Sequence, residues 1–234
     1  MKRNHGIDLL KIIAMIMVVM GHVILSGGVN EAVTSVRGSC AYYTVFAIRL
    51  VTICAVDCFV LATGYLYYGR KVKLSRVVEL WLQVVFLSAV VLGGALVSGY
   101  CPTGLQWLKT FLPISTYHYW FITQYMLLML FVPMLNRFVE CLDGKGALYL
   151  IAVLVFVFSI LPTFLFPTEI PLNGGYTVVW FCVLFIIGSC IRKFDVAKRV
   201  GAILAWFSGF ALAAYGKFSA AHFGRGGGVH LLSV

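Results

Sequence analysis

Between Thr110 and Asn136 the chain runs without one formally charged side chain. A helix needs ~20 apolar residues to cross ~30 Å of hydrocarbon, so such a stretch restricts the fold to one that lives in lipid. Seven apolar segments of crossing length can be drawn, near 7–25, 46–68, 77–98, 118–136, 147–166, 174–191 and 200–218. Chain punctuation falls between them: Pro102 with Gly104, Asp143 with Gly144, Pro167, and Asn173-Gly174-Gly175. Around Leu112-Pro113-Ile114 the chain reads as an interfacial approach to the fourth segment. The alternating pattern of a membrane barrel is absent. Composition agrees, with 62% apolar and 11% charged residues, where soluble domains average roughly 45–50% and about 25%. The expected fold is all-α, a polytopic transmembrane helical bundle of seven spans over 1–218, followed by an irregular glycine-rich tail, 219–234. No soluble domain and no internal repeat is visible.

The positive-inside rule orients the bundle. With a cytoplasmic N-terminus, twelve basic residues fall inside (Lys2, Arg3, Arg70, Lys71, Lys73, Arg76, Arg137, Lys145, Arg192, Lys193, Lys198, Arg199) and four outside (Arg37, Lys109, Lys217, Arg225). The first segment resembles a signal peptide only in having Lys2 and Arg3 before an apolar run. Asp8, Lys11 and His22 within it mark a retained span. The reading is a multi-pass protein of the cytoplasmic membrane. The net charge of +10 is scattered in short clusters between apolar runs, which excludes a nucleic-acid partner, since such binders gather charge in one basic domain.

Ionisable groups inside spans cost a few kcal/mol each on insertion scales, so each needs a partner, a wet cavity or a task. Lys11 and His22 lie eleven residues apart, three turns plus ~20°, so both project from one helix face about 16 Å apart. Asp8, Met15 and Val18 share that stripe. Lys11 alone fits a cation snorkelling to the headgroups beside Asp8, and His22 alone fits either an interhelical hydrogen bond or catalysis. Together they shift the balance toward function. In the second span, Arg49 stands one turn in from the outer side and Asp57 near the midplane, where a carboxylate must find a partner or protonate. His118-Tyr119-Trp120 open the fourth span at the outer side, as an aromatic belt or a substrate site would.

The loop after the second span carries Arg70, Lys71, Lys73 and Arg76, either a topology signal on anionic lipid or a holder for a phosphate-rich ligand. The glycines around Arg225 are no phosphate loop, because no Gly-Lys-Ser/Thr follows. Seven cysteines include no Cys-x-x-Cys pair and no zinc spacing with His. Cys54 and Cys58 share a helix face, but small buried apolar side chains is the ordinary reading. No metal is expected.

The run Gly6-Ile7-Asp8-Leu9-Leu10-Lys11 through Gly21-His22-Val23 resembles the opening of the membrane acyltransferase family 3, whose first-helix motif is Arg or Lys, ten residues, then His. Three further stretches resemble that family in order and spacing: Val56-Asp57-Cys58-Phe59 to Thr63-Gly64-Tyr65-Leu66, Tyr119-Trp120-Phe121 to Pro133-Met134-Leu135-Asn136, and Gly175-Tyr176 with Trp180-Phe181 to Ile187-Gly188. Two departures stand out. The family's Arg-x-x-Arg becomes Arg76 followed by Glu79, and its acidic residues after the fourth-helix tryptophan become Gln124 and Tyr125. The family also has more helices than are read here, so the chain reads as C-terminally truncated.

The resemblance implies an integral membrane O-acyltransferase that moves an acetyl group from cytoplasmic acetyl-CoA (or another acyl-CoA) to a hydroxyl of a cell-surface polysaccharide or glycan. Lys11, Arg70, Lys71, Lys73 and Arg76 would meet the phosphates of the donor. His22 would act as general base, or carry the acyl group covalently. Asp57 would orient His22 or hold another helix through a buried pair. Arg49, His118, Tyr119 and Trp120 would face the acceptor. The alternatives are a non-enzymatic transporter-like bundle, in which Asp57, Lys11 and His22 form a path, and an inactive truncated family member. A transporter would show a repeat and broken midplane helices.

Overall fold

The structure, a computed structural model, describes residues 5–36, 39–112, 119–161 and 177–195. Among them every regular element is helical: α1 (His5–Ser26), α2 (Val29–Thr34), α3 (Cys40–Ile53), α4 (Ala55–Tyr67), α5 (Leu74–Val97), α6 (Gly104–Phe111), α7 (Trp120–Cys141), α8 (Gly144–Val155) and α9 (Val178–Lys193). Four stretches are long and apolar enough to cross a membrane: His5–Ser26, Cys40–Tyr67, Leu74–Val97 and Trp120–Cys141. Of the fifth and sixth expected spans, the described parts are α8, 12 residues running into a π-helical turn at Phe156–Ile160, and α9, 16 residues, while 162–166 and 174–176 lie outside the described residues. The seventh segment, 200–218, and the tail, 219–234, lie outside the described residues.

The expected second span differs most. It begins at Cys40, earlier than its apolar core suggests, because Ser39 caps α3 by accepting a hydrogen bond from the Tyr42 N–H at 3.1 Å. It is also broken at Cys54. There the backbone N–H reaches back only three residues, to Val51 O at 3.4 Å, and Thr52 Oγ1 donates to Arg49 O. Side-chain back-bonding and a tightened turn of this kind bend a helix without ending the apolar run.

What surrounds the bundle shows in its surface. On α1, Ile12, Val19 and Val23 are 59%, 56% and 56% exposed, and on α5 Phe86 and Val91 are 67% and 70% exposed. Water would penalise such contiguous apolar faces, whereas lipid solvates them. The chain is an integral membrane protein.

The core lies where α4, α7 and α9 meet, around Val60, Leu128, Val132, Val139, Phe181 and Phe185. Between α4 and α9 the approach is backbone to backbone. A Cβ added at Gly64 would run into the carbonyl oxygen of Phe185, and one at Gly188 into that of Leu61. With no hydrophobic drive between helices in lipid, close van der Waals packing through small residues holds such a pair. Ser189 reinforces it, its hydroxyl donating to Gly64 O at 3.1 Å. On the other side of α4, α1 packs through a stripe of Ala14, Met17 and Ile24.

Candidate functional site

One end of the bundle is basic. Lys11 lies half-buried on α1, close enough to Asp8 and Arg70 to feel both charges. Two cations far apart in sequence thus lie toward the same end of the bundle. Arg70 stands in the loop after α4, where Gly69 turns the chain with φ 69°. Lys71, Lys73 and Arg76 are exposed along that loop and the first turn of α5. Lys73 occupies the N-cap position of α5 without a side-chain cap, so the positive end of that helix faces the same loop. Helix N-terminus and four cations in one loop suit an anion.

His22 sits toward the other end of α1, on a continuous helix, so about 16 Å of rise separates it from Lys11. Its ring is exposed and makes no hydrogen bond among the described residues. Lys11, Val18 and His22 border the buried stripe of α1 and so remain at the edge of the helix interface. Beside His22, Gly21 faces Thr52: a Cβ there would lie 3.5 Å from the Thr52 side chain. Arg49 is three residues from Thr52, so it stands within about a turn of the level of His22. Tyr119 precedes α7, and its hydroxyl accepts from Ser88 Oγ of α5 at 3.3 Å. Trp120 is half-buried, edge-on to Phe121. His118 lies outside the described residues.

Asp57 is 2% exposed, and its Oδ1 accepts from the indole Nε1–H of Trp180 at 2.9 Å. This bond joins α4 to α9 across the core. Met17 packs with Cys54 and Ala55, which sets the depth of Asp57 at roughly 10 Å from His22 along the helices. Of the two roles expected of Asp57, its contacts supply the helix-joining one.

Sequence reasoning used Arg192 and Lys193 only as topology signals and named Asn136 only as the end of a family-like stretch. All three are donors to helix carbonyls at the basic end. Lys193 Nζ donates to Val139 O, Glu140 O and Leu142 O at 3.0, 2.9 and 2.6 Å, closing the end of α7. Arg192 Nη1 donates to Tyr65 O at 3.1 Å and lies over the Tyr65 ring. Asn136 Nδ2 donates to Tyr67 O and Arg70 O. Basic residues in the last turn of α9 are a legible C-terminal signal, but their carbonyl partners on other helices are not. Among the described residues, no three His, Cys, Asp or Glu side chains gather as a metal would need. Cys54 is buried, its thiol turned to Leu50 O.

The family model described as an acyltransferase domain matches residues 4–232 of the chain. No curated protein and no solved structure matches it.

Proposed function

The chain belongs to this acyltransferase family, the membrane acyltransferase family 3, and from that premise we propose that it carries an acetyl group from acetyl-CoA at its basic, cytoplasmic end to a hydroxyl of a cell-surface glycan at the other. The observation that supports this most is the division of labour along α1. Lys11, toward the same end as Arg70, marks one end, and the accessible imidazole of His22 the other.

In this reading Lys11, Arg70, Lys71, Lys73 and Arg76 hold the phosphates of the donor by charge-assisted hydrogen bonds. The extended arm of the donor covers the ~16 Å to His22. His22 takes the proton of the acceptor hydroxyl as its oxygen attacks the thioester carbon; the C–S bond breaks and the thiolate leaves to be protonated. An imidazole suits this because its ring carries both an acceptor and a donor nitrogen. Arg49, Tyr119 and Trp120, at the His22 end, are the acceptor-side residues, and His118, next to Tyr119 in the sequence, is proposed with them. Asp57 supports the site indirectly, by holding α4 against α9.

The test is transfer of labelled acetyl from acetyl-CoA in membrane vesicles. The native chain labels a glycan; His22→Ala lowers that rate by about 10²–10⁴-fold, the usual contribution of a general base. Equal labelling by both would remove His22 from the chemistry, and no saturable use of acetyl-CoA would remove the donor.

A further inference from the structure

A helix ends with carbonyl groups that its own backbone leaves unpaired. At the end of α4 those groups take further hydrogen bonds from two other helices, beside the local backbone bonds from Tyr68 N–H to Gly64 O and from Arg70 N–H to Tyr67 O. Gly64 O accepts from Ser189 Oγ at 3.1 Å and Tyr65 O from Arg192 Nη1 at 3.1 Å. Tyr67 O accepts from Asn136 Nδ2 at 3.0 Å. The fourth bond differs in kind. Asn136 Nδ2 also donates to Arg70 O at 3.2 Å, beyond the helix end. Capping does not require it, because Arg70 belongs to the loop.

Asn136 is suited to clamp that loop. It is 6% exposed on the most buried face of α7, with its Oδ1 buried and without a hydrogen bond among the described residues. Its whole polar contribution is therefore one amide nitrogen spanning two carbonyls, one on each side of the Gly69 turn. Those carbonyls lie at the negative end of the α4 dipole, which would oppose a phosphate brought to Arg70 if they were bare. The Arg70 N–H closes the turn onto Tyr67 O at 3.0 Å, and the Asn136 amide of α7 adds a donor to both carbonyls.

Resting on the reading of the basic end as the donor site, we infer that Asn136 is a positioning residue for the phosphorylated donor. By holding the carbonyls of Tyr67 and Arg70, it fixes the turn that carries the Arg70 guanidinium. Nothing in the charge pattern of the loop points to an uncharged amide on another helix, yet that amide decides where the first cation of the loop stands.

The experiment measures equilibrium binding of labelled acetyl-CoA to the full chain in nanodiscs, so turnover is not needed. Asn136→Leu keeps a buried side chain of similar size and removes both bonds, while Asn136→Asp places a carboxylate oxygen against the two carbonyls. Ser189→Ala removes a cap bond that does not touch the loop. Variants are compared at matched folded fraction, judged by thermal unfolding in the same nanodiscs. Each Asn136 variant is expected to weaken binding about tenfold, the scale of losing two hydrogen bonds to a loop that must stay ordered. Ser189→Ala is expected to bind as the native chain does. Arg70→Ala added to Asn136→Leu should cost less than Arg70→Ala alone, because the guanidinium is already displaced. In the transfer assay KM for acetyl-CoA rises while kcat at saturating donor holds.

Should Asn136→Leu bind acetyl-CoA as tightly as the native chain while Arg70→Ala weakens it, the positioning role is overturned and the donor site stands. A purely additive Asn136→Leu and Arg70→Ala pair overturns it as well. Absence of saturable binding by the native chain overturns the donor site and the inference with it. Cleavage of the loop by trypsin separates that outcome from a misplaced anchor. Asn136→Leu should be cut at Arg70 or Lys71 about tenfold faster than native if the two bonds hold the loop, and no faster if they do not.

Discussion

Gly188→Ala adds one methyl group and is expected to be among the most damaging single changes in the bundle. The added Cβ would collide with Leu61 O and come within 3.1 Å of the Leu61 carbonyl carbon and the Tyr65 nitrogen. All three atoms are backbone, so no side chain can swing away. The helices must part, and the 3.1 Å bond from Ser189 Oγ to Gly64 O is stretched beyond its useful range. Overpacking of this kind costs about 1–3 kcal/mol, and the lost hydrogen bond ~0.5–1.5 kcal/mol. Together they give ~1.5–4.5 kcal/mol, roughly a 10- to 1,600-fold fall in the folded-to-unfolded ratio. Unfolding in mixed micelles with rising detergent denaturant, followed by helix content and tryptophan emission, reads this directly. Gly93→Ala is the internal control: on α5 a Cβ at Gly93 meets nothing within 4 Å, so that variant should be neutral or stabilised by up to ~1 kcal/mol. Gly64→Ala should resemble Gly188→Ala, and the double variant should cost less than the sum because the crossing is opened once. Equal stability of Gly188→Ala and Gly93→Ala would refute the close crossing of α4 and α9.

Other substitutions probe separate contacts. Trp180→Phe keeps the ring and removes the donor to Asp57, so it should destabilise by ~1–3 kcal/mol. Asp57→Asn retains an acceptor and should cost less than Asp57→Leu in the same unfolding assay. Lys193→Met leaves three carbonyls of the α7 end without their shared donor, and a loss of about 1–3 kcal/mol is expected, read as a lowered thermal midpoint in detergent. His22→Ala, at an exposed position, should shift that midpoint by no more than an ordinary surface change, within ~0.5 kcal/mol.

The apolar segments made the fold class legible because lipid imposes a length on every crossing. Helix and crossing are nevertheless different quantities. The charges of Arg137 and Glu140 mark the edge of hydrocarbon, but α7 continues through both to Cys141, since helical hydrogen bonds do not stop at the headgroups. The break at Cys54 left no mark in hydropathy, because it is a backbone bond shortened by one residue inside an apolar run. Ends of α8 and α9 were set by Asp143 and Thr177, each accepting a backbone N–H from the first turn. Both are recognisable N-cap residues once the helix start is known.

For the site, the spacing of Lys11 and His22 carried the reading, since one continuous helix turns a sequence interval into a distance. Contacts between helices were not legible in the same way. Asp57 needed a partner on physical grounds, but nothing in its neighbourhood of sequence named Trp180. Arg192 and Lys193 contributed only a sign to the topology count, whereas in the fold each is a directed donor to the end of another helix. Gly64 and Gly188 look like ordinary glycines in apolar helices until their backbones are seen in contact.

The central claim is that donor and acceptor meet the protein at opposite ends of α1. Sealed vesicles of known orientation, with labelled acetyl-CoA supplied on one face only and a glycan acceptor on the other, test it most directly. Labelled acceptor is predicted only when acetyl-CoA is on the Lys11 and Arg70 face and His22 is intact. Acceptor labelled equally well from either face, or labelled on the donor's own side, would contradict the account.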